Sequence, residues 1–150
     1  MGNTIAAGIE PPAEGYGLVM AVSRRGRLSD DLILPWLDYL VATYPDFWWA
    51  LFSVDPLTVG DPASVELIGG TYARAASTMH RSGRLLLSDD ELLFSGLTAG
   101  TSIESIGAFS AAFGGTFLGA GPYPGSPPLV LPDGGYISIA AGDAMFGIDA

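Results

Sequence analysis

At 150 residues the chain is long enough to bury roughly two thirds of its unfolded surface in one core, so a single domain needs no metal or disulfide to fold. It has no cysteine and one histidine, His80, which excludes disulfides, thiolate zinc sites, iron–sulfur clusters, cysteine nucleophiles and multi-histidine metal centres, and leaves a hydrolase little to use as a general base. Sixteen acidic against six basic residues give a net charge of −10, which repels nucleic acid and anionic membranes; neither is expected as a partner.

All the basic residues are arginines, grouped as Arg24, Arg25, Arg27 and as Arg74, Arg81, Arg84. Guanidinium groups suit bidentate pairing with carboxylates, so either group could pair with acidic surfaces of neighbouring copies; solvated arginines are the plain alternative. Apolar residues make up 49% of the chain, yet Pro35 and Asp38 interrupt the longest apolar region well short of the roughly 20 residues a membrane span requires. Glu10 and Glu14 precede the apolar Leu18–Val22 and the arginines follow it, the reverse of a signal-peptide layout, so the expectation is a soluble chain made in the cytoplasm. High apolar content with few charges points to partners that cover part of the surface.

In chain order, residues 1–27 contain Gly2, Gly8, Pro11, Pro12, Gly15, Gly17 and Gly26, too many breakers for a regular element. They read as an extended arm whose Ile5, Ile9, Tyr16 and Leu18, with Arg24, Arg25 and Arg27, serve assembly; a disordered tail is the alternative. Residues 28–150 read as a helix followed by a β domain. Ser29-Asp30-Asp31 is a helix start, a capping hydroxyl followed by two carboxylates at the positive end of the dipole, with Leu34, Leu37, Tyr39, Leu40 and Val41 on one apolar face. A start at Pro35 itself is the other option.

From Phe47 onward short β-rich runs alternate with Gly, Pro and Asp. The expected strands are 47–54, 71–78, 84–87, 91–95, 102–113, 116–120, 128–131, 135–140 and 144–148. Residues 108–118 read as a hairpin turning at Gly114-Gly115. So many short strands predict a mainly β fold, an antiparallel β-sandwich or jelly roll, with one short N-terminal helix.

Catalytic signals are missing. No serine sits in a nucleophile elbow, and the glycine-rich 114–121 segment lacks the lysine of a phosphate loop. The adjacent Asp89, Asp90 and Glu91 read as a turn cluster, because neighbouring residues on a strand face opposite ways and cannot form a facing acid pair; calcium is a minor alternative. His80 reads as a surface or turn residue. Among the aromatic residues Tyr123, between Pro122 and Pro124, is the best placed to be exposed and to stack on a sugar. No catalytic, metal or cofactor residue is expected.

The order of motifs from Trp49 to Arg74 carries the one functional hint. The apolar WALFSV ends at Asp55-Pro56, and Glu66 leads into Gly69-Gly70-Thr71-Tyr72-Ala73-Arg74. This resembles small β-sandwich virion proteins of tailed bacteriophages, of the tail-fibre, head-fibre and decoration type, which carry "ALYTADP" followed by "E..GG.YAR". The resemblance extends from about Leu28 to the C-terminus. Leu28-Ser29-Asp30 is similar to the family's "LSD" helix start, and Gly107–Gly121 to its "..FDA..GG.LL..G". Ser110 stands where the family often has aspartate, and the 123–128 loop is richer in proline. The resemblance implies a non-enzymatic structural protein of the virion, attached to capsid, neck or tail, oligomeric, with capsid or tail proteins as partners, and with Asp55, Pro56, Gly69, Gly70, Tyr72 and Arg74 as structural residues. A receptor- or glycan-binding module at a tail tip is the alternative.

Overall fold

The computed structural model describes residues 28–147 apart from residue 126. The proposed arm residues Ile5, Ile9, Tyr16, Leu18, Arg24, Arg25 and Arg27 lie outside the described residues. Leu37–Gly147 form one compact unit that contains every strand, while α1 as far as Trp36 belongs to a second unit.

The helix α1 spans Asp30–Thr43. Its first turn is closed by the Ser29 carbonyl, which accepts from Leu32 and Ile33 N–H, and Asp30 and Asp31 lie at the positive end. Pro35 is therefore inside the helix and not at its start. Ile33 and Leu37, one turn apart, are the fully buried positions. Tyr39, expected on the apolar face, is exposed, since two residues beyond Leu37 is about 200° around the helix.

The fold is mainly β and every ladder is antiparallel. Among the described residues ten strands follow the helix: β1 Asp46–Phe52, β2 Ala75–Ser82, β3 Leu85–Ser88, β4 Leu92–Leu97, β5 Thr101–Ile103, β6 Ser105–Phe109, β7 Phe117–Pro122, β8 Leu129–Leu131, β9 Gly135–Ile139 and β10 Met145–Gly147. Six of them form one sheet in the order β10-β3-β2-β1-β6-β7, and β4–β9 and β5–β8 form two-stranded sheets.

The central strand β1 explains its own composition. Phe47, Trp49 and Leu51 are buried on one face and Ala50 and Phe52 on the other, so the run FWWALF lacks the alternation of a half-exposed strand. On the first face Phe146 stacks on Trp49 with ring centroids 5.1 Å apart and meets Phe47 edge-on at 5.5 Å. On the second, Ala50, Phe52 and Phe109 form a cluster closed by Val65 and Phe117.

Several boundaries differ from the sequence reading, β1 ending at Phe52 and β2 and β4 running on to Ser82 and Leu97, and three further differences have a visible cause. The run 102–113 divides into β5 and β6 because Glu104 leaves the ladder: its N–H donates to the Phe52 carbonyl and its own carbonyl accepts from Tyr123. β6 stops at Phe109, where Ser110 Oγ accepts from Thr116 N–H and closes the hairpin loop, with Gly114 and Gly115 at positive φ. Residues 71–74 are not strand. β2 begins at Ala75, and Thr71 N–H donates to the Gly96 carbonyl of β4 instead of pairing with β1.

Candidate functional site

The residues that carry the resemblance converge where the 53–74 segment returns to β1. The segment opens with two turns of one design: Asp55 Oδ1 accepts from Leu57 N–H at 2.9 Å and Asp61 Oδ1 from Ala63 N–H at 3.2 Å, each with proline next in sequence, and each starts a short 3-10 helix. Pro56 is buried. The chain then rejoins the edge of β1, where Ser53 N–H donates to the Val65 carbonyl and Leu67 N–H to the Leu51 carbonyl.

A space remains on that edge between the 65–67 bridge and the start of β2, and the Tyr72 side chain fills it. Its hydroxyl accepts from Leu51 N–H at 3.1 Å and donates to Glu66 Oε2 at 2.8 Å, so a phenol takes the place of a strand partner. The ring stacks on Phe94 at 6.3 Å. Burial, with the Glu66 carboxylate beside it, pushes the Tyr72 phenol far above its ordinary value of 10.0.

Glu66 also holds Arg74. Arg74 Nη2 lies 2.9 Å from Glu66 Oε1 and Nε 3.0 Å from Oε2, a fork-to-fork pair, and the two side chains retain only 7% and 12% of their exposure. Arg74 Nη1 donates to the carbonyls of Ala111 and Gly114 at 2.8 and 2.9 Å, and the guanidinium lies 3.6 Å above the Phe109 ring. One arginine thus ties the 53–74 segment to the β6–β7 loop.

The turn at Gly69-Gly70 passes against β4 backbone to backbone. Thr71 N–H donates to the Gly96 carbonyl, a Cβ on Gly70 would overlap that carbonyl, and a Cβ on Gly96 would overlap Thr71 Oγ1. Both glycines have positive φ, so this contact admits no other residue without movement.

Above this clasp lies an open cleft of about 490 Å³ lined by Trp48, Leu67, Ile68, Tyr72, Arg74 and Phe113 among others. At its rim Ile68 is 88% and Phe113 91% exposed. Neither was singled out by sequence reasoning, because exposure in a loop leaves no periodic signal.

Elsewhere the polar groups are dispersed. Two of the second group of arginines have acidic partners within the chain: Arg74 serves Glu66, and Arg81 Nε pairs with Asp38 at 2.7 Å. The acidic turn diverges in three directions. Asp89 accepts from Thr78 and contacts His80 Nδ1, Asp90 N–H donates to Ser77 Oγ, and Glu91 accepts from Ser138. The Thr78 hydroxyl, then His80, hold the Asp89 carboxyl below its ordinary range. Among the described residues no group of three or more ligating side chains could hold a metal ion, and no helix is long and apolar enough to cross a membrane. Tyr123 is half-buried, with Tyr136 more exposed. Set against models of protein families, curated proteins and solved structures, the chain matches none.

Proposed function

We propose that this chain is a non-enzymatic structural component of a tailed-phage particle, a decoration or fibre-type protein attached to capsid, neck or tail and made in the host cytoplasm. The observation that carries the reading is the clasp: Glu66, Tyr72 and Arg74, the residues of the "E..GG.YAR" resemblance, spend their polar atoms on one another and on backbone groups and so hold two loops to a β sheet. In this reading the fold is an antiparallel sandwich. The buried Leu92, Phe94, Ile137 and Ile139 of β4–β9 form its second layer, and residues 1–27 are the anchoring arm. Large apolar side chains left on the surface, Ile68 and Phe113 above all, support a chain that works against partners, since each Å² they lose to a neighbour contributes about 25 cal/mol. Repetition around a symmetric particle multiplies modest contacts.

The test is to locate the protein. Mass spectrometry of purified particles, with labelled antibody in electron microscopy, should find it at a fixed copy number on one particle surface. Its absence from purified particles that were made while it was expressed would overturn the reading.

A tail-tip receptor or glycan module is the second reading, favoured by Tyr136, 68% exposed on β9. Glycan or host-cell binding that weakens for Tyr136→Ala or Tyr123→Ala would select it over a purely structural role.

A further inference from the structure

The six-stranded sheet ends in β7 on one side and β10 on the other, and residues of both edge strands line one cleft. Residues Ala120–Pro122 and Met145–Gly147 form opposite walls of one cleft of about 330 Å³, with Trp49, Ile106 and Ile139 also lining it. A Cβ on Gly119 would lie 3.1 Å from the Phe146 ring, so that ring reaches from β10 to β7 beneath the gap. β7 and β10 nevertheless share no ladder. Each edge strand presents every second N–H and C=O to the gap. In the same wall the Trp49 indole N–H is buried with no acceptor.

We infer that this slot takes one added β-strand, and that the strand is Leu18–Val22 from a second copy of the chain. The composition of the segment fits a strand paired on both sides: five consecutive apolar residues, Leu18-Val19-Met20-Ala21-Val22, bounded by Gly17 and Ser23. Five residues, 23–27, separate Val22 from Leu28 and give an extended reach of about 20 Å between the slot of one copy and the helix of the other. Charge fits as well. Residues 1–27 hold two of the sixteen acidic residues and three of the six arginines, so the remainder carries fourteen acidic against three basic ones. Arg24 and Arg25 directly follow the apolar run, and Asp143 lines the slot. Setting the arginines at Asp143, just ahead of Met145, fixes direction: the added strand is antiparallel to β10 and parallel to β7, which themselves run in opposite senses. The proposal concerns the chain alone and does not rest on the phage reading, so the failure of one is separable from that of the other.

The absence of native cysteine allows a clean test. Full-length protein bearing Ala21→Cys is mixed with a differently tagged copy bearing Met145→Cys, which is half exposed on β10, under mild oxidation. The expected result is a disulfide heterodimer on the order of tenfold above that formed with a Thr58→Cys partner, because docking raises the effective concentration of the two thiols. Gly121→Trp in the Met145→Cys copy should return the yield to background, since Gly121 lines the slot and a Cβ added there meets nothing within 4 Å, which leaves room for a side chain to start into the slot. A heterodimer yield no higher than with Thr58→Cys, or unchanged by Gly121→Trp in a variant that still unfolds cooperatively, overturns the proposal. So does an Ala21→Cys/Met145→Cys double variant that forms only an internal disulfide, which would put the segment in its own slot.

Discussion

Removing Glu66 should unfasten the clasp at its centre. In Glu66→Ala the Arg74 guanidinium, with 7% side-chain exposure, is left as a buried charge without its counter-ion. Breaking a buried pair from one side costs about 3 to 5 kcal/mol. Arg74 keeps the Ala111 and Gly114 carbonyls and the face of Phe109, which places its share near the lower end. Tyr72 loses the acceptor of its hydroxyl, about 1 kcal/mol more. The sum is a loss of about 4 kcal/mol, read as a lower urea midpoint with unchanged slope. Glu66→Ala/Arg74→Met removes both charges and keeps much of the arginine's volume. It should therefore cost less than the two single changes added together, with a coupling of about 2 kcal/mol. If Glu66→Ala costs under about 1 kcal/mol, the pair behaves as a solvent-screened surface contact and the clasp does not hold the loops.

Three further outcomes are expected. Tyr72→Phe should cost about 1 to 3 kcal/mol by stranding Leu51 N–H and a carboxylate oxygen, and Tyr72→Ala about 3 to 5 by also emptying the ring site, both measured by thermal or urea unfolding. The folded phenol ionises far above 10.0, so the unfolded chain releases this proton first and stability falls as pH rises past about 10; unfolding of Tyr72→Phe should lack that component. At the acid end the folded Asp89 carboxyl is depressed, so the stability it contributes is present above the ordinary carboxylate range and lost as pH falls through its folded value, and Asp89→Asn should flatten that part of the acid limb. Gly96→Ala should destabilise by about 2 kcal/mol or more, combining a positive φ with overlap on Thr71, whereas Gly83→Ala, also at positive φ but with open space around it, should cost only the backbone part of about 1.

What the sequence made legible was local. Short apolar runs between Gly, Pro and Asp gave the mainly β fold, the 114–115 turn and the helix ahead of it, because strand and turn preferences act within a few residues. The Asp-Pro step at 55–56 marks the end of β1 in the sequence, and the step at 61–62 carries the same local signal for a second turn. The errors lie where distant residues decide. Residues 71–74 look like strand until Gly96, more than twenty positions on, takes the hydrogen bond of Thr71. Arg74 finds its other acceptors 37 and 40 residues away, a separation that no spacing rule encodes. The cleft shared by β7 and β10 joins the two ends of a six-strand order that no local pattern encodes.

The clasp also bears on what the exposed residues can do. Ile68 lies between Leu67, bonded to Leu51 of β1, and Gly70-Thr71, which meet Gly96 of β4, and Phe113 lies between Ala111 and Gly114, whose carbonyls Arg74 holds. Two loop residues that would otherwise sample many positions are therefore held by one buried arginine. Ordering a loop on binding costs roughly 0.5 to 1.5 kcal/mol for each immobilised side chain, and here the backbone part is met during folding. A contact built on Ile68 and Phe113 can then be small in area and still persist. By the same reasoning, loss of Arg74 should weaken such a contact even though the guanidinium itself is almost wholly buried.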